Sequence, residues 1–278
     1  MIYKSIVNQS NFMRLFRLEG NVKPTNYVSF LKEKEKHVLL PNRFLHTSQP
    51  NYRDTIIPKN AKSGSSFEWL KRQLNDPYVK KARYENYRAR SAFKLTEIDD
   101  EFKILKPGGI IIDLGASPGA WTQVMVRRCY PESDPKNVNG TLIIGIDISG
   151  IAPIEGAAVI PNTDFTNPLN QAKIIELLKD RKVDTVCSDM APKASGQAEL
   201  DHPGIVKLFL SALQFSIQVL KPGTGIFLGK LWDGYRTKEI DSLMKTLFET
   251  VNIVKPKASR DESAELFLLG INYKGLKH

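Results

Sequence analysis

The stretch Gly109-Ile-Ile-Ile-Asp-Leu-Gly-Ala-Ser-Pro-Gly-Ala-Trp121 constrains this chain more than any other. Ile110 to Leu114 is a short apolar run rich in β-branched side chains. It predicts a strand buried on both faces, as in a parallel sheet. The turn Gly115-Ala116-Ser117-Pro118-Gly119 follows at once, and Trp121 to Arg128 reads as a helix. Glycines let a ligand approach the backbone, and the start of the helix aims unpaired amides into the same space. Strand, turn and helix in this order point to a cofactor site. The plainer alternative is a turn that only tightens a strand–helix junction. The turn is not G-x-G-x-x-G, and G-x-x-x-x-G-K-[S/T] does not occur, so a nucleoside triphosphate site has no support. The next predicted strand, Leu142 to Ile148, ends near Asp147, 28 residues beyond Gly119. An acid placed there in a doubly wound sheet can accept hydrogen bonds from ribose hydroxyls. An adenosine-type cofactor therefore fits.

The remaining pattern alternates strands and helices. Further strands are predicted at 157–161, 182–192, 226–232, 251–254 and 265–273, and helices at 91–105, 169–179, 205–220 and 240–248. Phe93, Ile98, Phe102 and Leu105 form the apolar stripe of the first of these helices, with Leu95 at its margin. Pro77 is read as ending a helix at 67–74 and Pro203 as opening the long helix. The last two strands leave no room for a helix between them, which predicts a terminal antiparallel hairpin. Asp164 and Phe165, after the short third strand, are placed to face an adenine, one by hydrogen bonding and the other by packing on the ring.

With 278 residues and 41% hydrophobic content the chain can bury one good core. No run approaches a membrane span. Cys129 and Cys187 give no disulfide framework, and no Cys/His cluster has zinc spacing, so no metal is expected. Net charge is +10, and Lys59 to Lys94 holds ten Lys/Arg against three acids. Tyr78 to Arg90 interleaves aromatics with cations, a combination that suits bases and phosphates. Lys80, Lys81, Arg83, Arg88 and Arg90 are the candidate RNA contacts; a solvated helical face is the alternative. Residues 1–47 begin Arg-bearing and acid-poor, as mitochondrial targeting segments do, or form a plain N-terminal extension. The expected organisation is this segment, a basic arm and linker at 48–90, and one α/β domain at 91–278.

Topology draws four charges together. Asp189 and Lys230 end strands, and Glu265 begins a strand running the other way, so all three reach one edge of the sheet. Lys94 comes from the preceding helix, where composition alone makes it a surface lysine. A Lys-Asp-Lys-Glu group suits attack by a hydroxyl on a methyl sulfonium, provided one lysine loses its proton. Two ordinary salt bridges at a sheet edge are the alternative.

The residues Ser91-Ala-Phe-Lys-Leu95, Asp113 to Trp121, Ser188-Asp-Met-Ala-Pro192, Gly196, Gly229-Lys-Leu231 and Ser259 to Glu265 together resemble the FtsJ-like RNA ribose 2′-O-methyltransferases. The likeness runs from about 67 to 273, and Asp76 to Ala82 resembles the arm of the large-subunit ribosomal RNA members. It implies a Rossmann-like class I methyltransferase fold, a mostly parallel seven-stranded sheet that binds S-adenosylmethionine. It implies a catalytic tetrad of Lys94, Asp189, Lys230 and Glu265, with Lys230 as the base toward the 2′-hydroxyl. Cofactor residues carried over are Gly119, Trp121, Asp147, Asp164 and Asp189, with the rest of the turn, Gly115 to Pro118, beside them. The family's Gly-Gly-Trp is Gly119-Ala-Trp121 here, and Phe267 stands where a Tyr is common. With the N-terminal extension, the resemblance implies a mitochondrial matrix enzyme. It would act as a monomer on a uridine of large-subunit rRNA in an assembling ribosomal subunit. tRNA or cap substrates, a small-molecule methyltransferase and a non-catalytic assembly factor are the rival readings.

Overall fold

The computed structural model describes residues 75–130, 140–193, 195–260 and 262–276. The expected targeting segment, the linker and the helix at 67–74 lie outside these residues. Seven strands form one sheet in the order β3-β2-β1-β4-β5-β7-β6. They are β1 (Ile110–Leu114), β2 (Leu142–Ile146), β3 (Ala158–Ile160), β4 (Thr185–Ser188), β5 (Ile226–Trp232), β6 (Phe248–Val254) and β7 (Glu265–Tyr273). β1 to β5 pair in parallel, and β7 runs antiparallel to both β5 and β6. The α/β sheet with its terminal hairpin is as the sequence predicts.

The described helices are α1 (Pro77–Tyr84), α2 (Ala92–Phe102), α3 (Ala120–Cys129), α4 (Pro168–Leu178), α5 (Ala198–Val219) and α6 (Thr237–Leu247). β1 is buried along its whole length, as its unbroken apolar run requires. α2 and α3 pack on one face of the sheet, with Leu95, Ile98, Trp121, Val124 and Met125 in one core with Ile111, Leu228 and Phe267. Leu95 is fully buried, not marginal. Both cysteines are free and buried.

Two prolines have roles that their sequence reading does not give them. Pro77 opens α1, where the Asp76 side chain accepts from the Tyr78 and Val79 amides; the helix it is read as ending lies outside the described residues. Pro203 sits inside α5, which begins five residues earlier at Ala198. There the Asp201 carboxylate accepts from Ser195 N, Ser195 Oγ and Gly196 N, and ties the preceding loop to the first turn. The arm at 76–90 also belongs to the domain: residues 71–278 form one compact unit. Ala82 and Phe93 share a small core with Ala258, and Tyr78 and Tyr87 both pack on the Phe93 ring.

Candidate active site

The order of strands reverses between β1 and β4, so a crevice opens beyond their carboxyl ends, where open α/β sheets bind ligands. The glycine turn lies in that crevice. Gly115 has φ +82°, and a Cβ there would come within 2.7 Å of Met190 Cγ and 2.9 Å of Met190 N. Glycine therefore lets the end of β4 approach the turn. Asp147 braces the turn from β2, its carboxylate accepting from Ser117 N at 2.9 Å and from Ser149 N at 2.6 Å. A carboxylate has about four acceptor directions, so Asp147 keeps capacity toward a ribose. Arg88 holds the other side, donating to the carbonyls of Pro118 (3.0 Å), Ala152 (2.8 Å) and Pro153 (2.8 Å).

Behind the turn, Asp113 is wholly buried. One oxygen accepts from Thr122 Oγ1 at 2.6 Å, and Oδ1 has no partner among the described residues. Burial, with Asp189 and Asp147 nearby, raises its carboxyl to about 7 against the opposing Thr122 bond. Acids at the ends of β2, β1 and β4 thus meet around one crevice. Such a donor set suits a cofactor that carries positive charge.

The side chains of two expected cofactor residues are taken up by the core. Trp121 is 3% exposed; its Nε1 donates to Ser91 O at 2.8 Å and its ring packs on Phe267 at 5.6 Å. The side chain fixes the start of α2, and with it Lys94. Phe165 is also 3% exposed and meets Phe215 edge-on at 5.2 Å, so its ring belongs to the core and offers no free face to an adenine. Asp164 stays on the surface, its Oδ1 accepting from Thr166 N and Oγ1.

The four charges do converge. β5 and β7 pair with Trp232 opposite Glu265 and Lys230 opposite Phe267, so the start of β7 lies beside the end of β5. Lys94 Nζ is 2.5 Å from Glu265 Oε1. Lys230 Nζ is 3.0 Å from Glu265 Oε2 and 3.0 Å from Asp189 Oδ1. The result is a chain of alternating sign, Lys94–Glu265–Lys230–Asp189, and all four side chains are at most 16% exposed. Ser259 Oγ donates to Glu265 Oε1 at 2.7 Å, a fifth member that sequence reading quoted in a motif but gave no role. Phe267, in place of a tyrosine, sets its ring centroid 6.0 Å from Lys94 Nζ.

The electrostatics follow from this chain. Burial alone would raise Glu265, but Lys230 and Lys94 outweigh it and hold the carboxyl at about 2. Burial alone would lower Lys230, but Asp189 and Glu265 outweigh it and hold the lysine above its usual value. The Lys230 side chain is therefore an ammonium in this state, not a lysine already tuned toward neutrality. An ammonium has three N–H bonds. The carboxylates, each with an oxygen at 3.0 Å, can engage two of them, which leaves a third direction for exchanging a proton with a substrate.

The cationic arm is divided. Lys80, Lys81 and Arg83 are exposed on α1, and Tyr84 at its end is 88% exposed. Arg90 turns inward, paired with Asp76 and donating to Ala258 O. Arg88 turns inward to the cofactor turn. The count of cations could not distinguish these fates.

The sequence profile described as FtsJ-like methyltransferase matches residues 87–273. The chain is 43% identical over 235 residues to rRNA methyltransferase 2, mitochondrial, of Drosophila melanogaster, covering 84% of this chain and 94% of that one. It is 44% identical over 216 residues to ribosomal RNA large subunit methyltransferase E of Parvibaculum lavamentivorans, covering 77% and 84%. Among solved structures, a Plasmodium falciparum protein assigned as a ribosomal RNA methyltransferase superposes with a TM-score of 0.57 at 31% identity. That match covers 68% of this chain and all of the other.

Proposed function

The chain belongs to the FtsJ-like methyltransferase family, and from that premise we propose that it 2′-O-methylates a ribose of large-subunit ribosomal RNA. The observation that carries this reading is the buried Lys94–Glu265–Lys230–Asp189 chain beside the switch-point crevice. The methyl donor is S-adenosylmethionine, which when bound supplies an electrophilic methyl carbon on a positively charged sulfur. The amides at the start of α3, the turn at 115–119 and the acids Asp147, Asp164 and Asp189 would hold it.

A ribose hydroxyl is a weak acid and must lose its proton as its oxygen attacks. Lys230 is the acceptor, through an Nζ that lies 3.0 Å from both Asp189 Oδ1 and Glu265 Oε2. Lys94 competes for Glu265 and limits the grip of that carboxylate on Lys230. Because Lys230 is held above its usual pKa, its neutral form is scarce at pH 7 and grows about tenfold per pH unit. Holding hydroxyl, methyl carbon and leaving atom in line supplies much of the remaining acceleration.

The names of the mitochondrial relatives support a mitochondrial setting, and the matrix follows from where ribosomal RNA would be met. The target is proposed to be a uridine of the peptidyl-transferase A loop, modified during subunit maturation by a monomer. Lys80, Lys81 and Arg83 are the proposed phosphate contacts.

The test is transfer of tritiated methyl from S-adenosylmethionine to immature large-subunit rRNA, with 2′-O-methyl mapping of the product. Incorporation at one ribose is expected. Bound cofactor without incorporation into rRNA or assembling subunits would reject the rRNA assignment and redirect the search to tRNA and cap substrates.

A further inference from the structure

Beyond the end of β5, the loop 233–236 is fixed at every residue but one. Asp233 N donates to Ala264 O at 2.7 Å, next to Glu265. Gly234 N donates to Thr237 Oγ1 at 2.9 Å, and Thr237 N returns a bond to Gly234 O at 3.1 Å. Arg236 N donates to His202 Nε2 at 3.3 Å, and its guanidinium pairs with Glu239 at 2.8 Å. Gly234 lies so close to His202 that a Cβ would stand 2.5 Å from Nδ1.

Tyr235 is the exception. Its ring rests on His202, centroids 4.7 Å apart, while the residue is 73% exposed. His202 itself is 4% exposed. With Nε2 accepting from Arg236, the ring proton falls on Nδ1, which has no partner among the described residues. A polar ring has thus been buried at some cost beneath a tyrosine held out to solvent. The tyrosine follows Lys230 by five residues, at most about 18 Å of chain. A large aromatic displayed on a braced loop that leads out of a reactive centre, on a chain of net charge +10, fits the π-face of a nucleobase.

We propose that Tyr235, backed by His202, is a stacking platform for a base of the substrate RNA, at or next to the methylated nucleotide. This rests on the RNA reading above. The platform orients the strand so that the 2′-hydroxyl faces Lys230. It reads a ring face, not base edges, and so contributes affinity and register with little base selectivity.

Affinity for a fluorescent large-subunit rRNA stem-loop should be measured across a salt series for wild type, Tyr235→Phe, Tyr235→Ala and Lys80→Ala, with cofactor affinity as the control for folding. Loss of one stacked base weakens RNA binding by about five- to 150-fold. Tyr235→Ala is expected to show that loss at every salt concentration with the salt slope unchanged, and Tyr235→Phe to bind as wild type does. Lys80→Ala should instead lower the slope by about one. Equal RNA affinity for Tyr235→Ala and wild type overturns the platform and leaves the methyltransferase reading standing. A reduced salt slope in Tyr235→Ala, with Tyr235→Phe equally weak, also overturns it. Failure of wild type to bind the RNA rejects both.

Discussion

Asp113 and Glu265 are both buried carboxylates near the same end of the same sheet, yet their pKa values diverge, to about 7 and about 2. Burial pushes both up. Glu265 is brought back down by Lys230 and Lys94 and by the Ser259 hydroxyl. Asp113 has a hydroxyl from Thr122 and, nearby, two more acids. Glu265 has two lysines against it, whereas no cation among the described residues offsets the buried Asp113. Burial sets the cost of a charge, and the neighbours decide whether it is met. The two places suit different tasks. One holds charges in fixed positions for proton transfer, and the other is receptive to an arriving positive group.

Removing the compensated carboxylate should have the largest effect. Glu265→Ala leaves two lysines facing each other and is expected to cost about 3–5 kcal/mol of stability by urea unfolding, as breaking a buried pair does. Methyl transfer should fall about a hundredfold or more in the same protein. The sign of the pH effect follows from the depressed value. Glu265's contribution is full above its unfolded carboxyl pKa, near 4.5, and is lost as pH falls toward about 2.

Asp113 should show the opposite dependence. Its unfolded carboxyl ionises near 3.8 and its folded one near 7, so the folded state holds the extra proton between them. Its contribution to stability therefore falls as pH rises through that window and stays low above it. Asp113→Asn, which keeps an acceptor for Thr122, should remove this slope. At pH 8 its melting midpoint is expected above that of wild type, by roughly 2–4 °C per kcal/mol of linkage. Equal slopes in both proteins would remove the contrast with Glu265.

A smaller effect is expected at the rim of the crevice. Arg88→Ala frees the carbonyls of Pro118, Ala152 and Pro153 from one another. Cofactor affinity measured by calorimetry should weaken about tenfold, equivalent to ~1.4 kcal/mol, with little change in the unfolding midpoint. An unchanged affinity would show that the turn keeps its shape without the arm.

Much of this is legible in the sequence. The run into Gly115 located the crevice, and the absence of room for a helix before residue 265 reversed β7. That reversal is what brings Glu265 to Lys230. What stayed hidden depends on contacts distant in sequence. Phe165 reads as ligand-facing from its place after β3, and Trp121 from the family resemblance, yet their rings complete the core. Arg88 and Arg90 read as free positive charge because, Asp76 apart, their acceptors at 118, 152, 153 and 258 are far along the chain. That Pro77 also starts a helix shows only in the Asp76 cap. The raised pKa of Lys230 also depends on two carboxylates reaching it at once.

The most direct measurement is the single-turnover rate of methyl transfer to rRNA for wild type and Lys230→Ala from pH 6.5 to 9, with cofactor and RNA affinities measured on both. If Lys230 takes the hydroxyl proton, the wild-type rate climbs about tenfold per pH unit over the neutral range. The variant is then slower by about 10²–10⁴ with both affinities intact. A variant that keeps the wild-type rate and pH dependence would contradict the role of the charge chain in proton transfer.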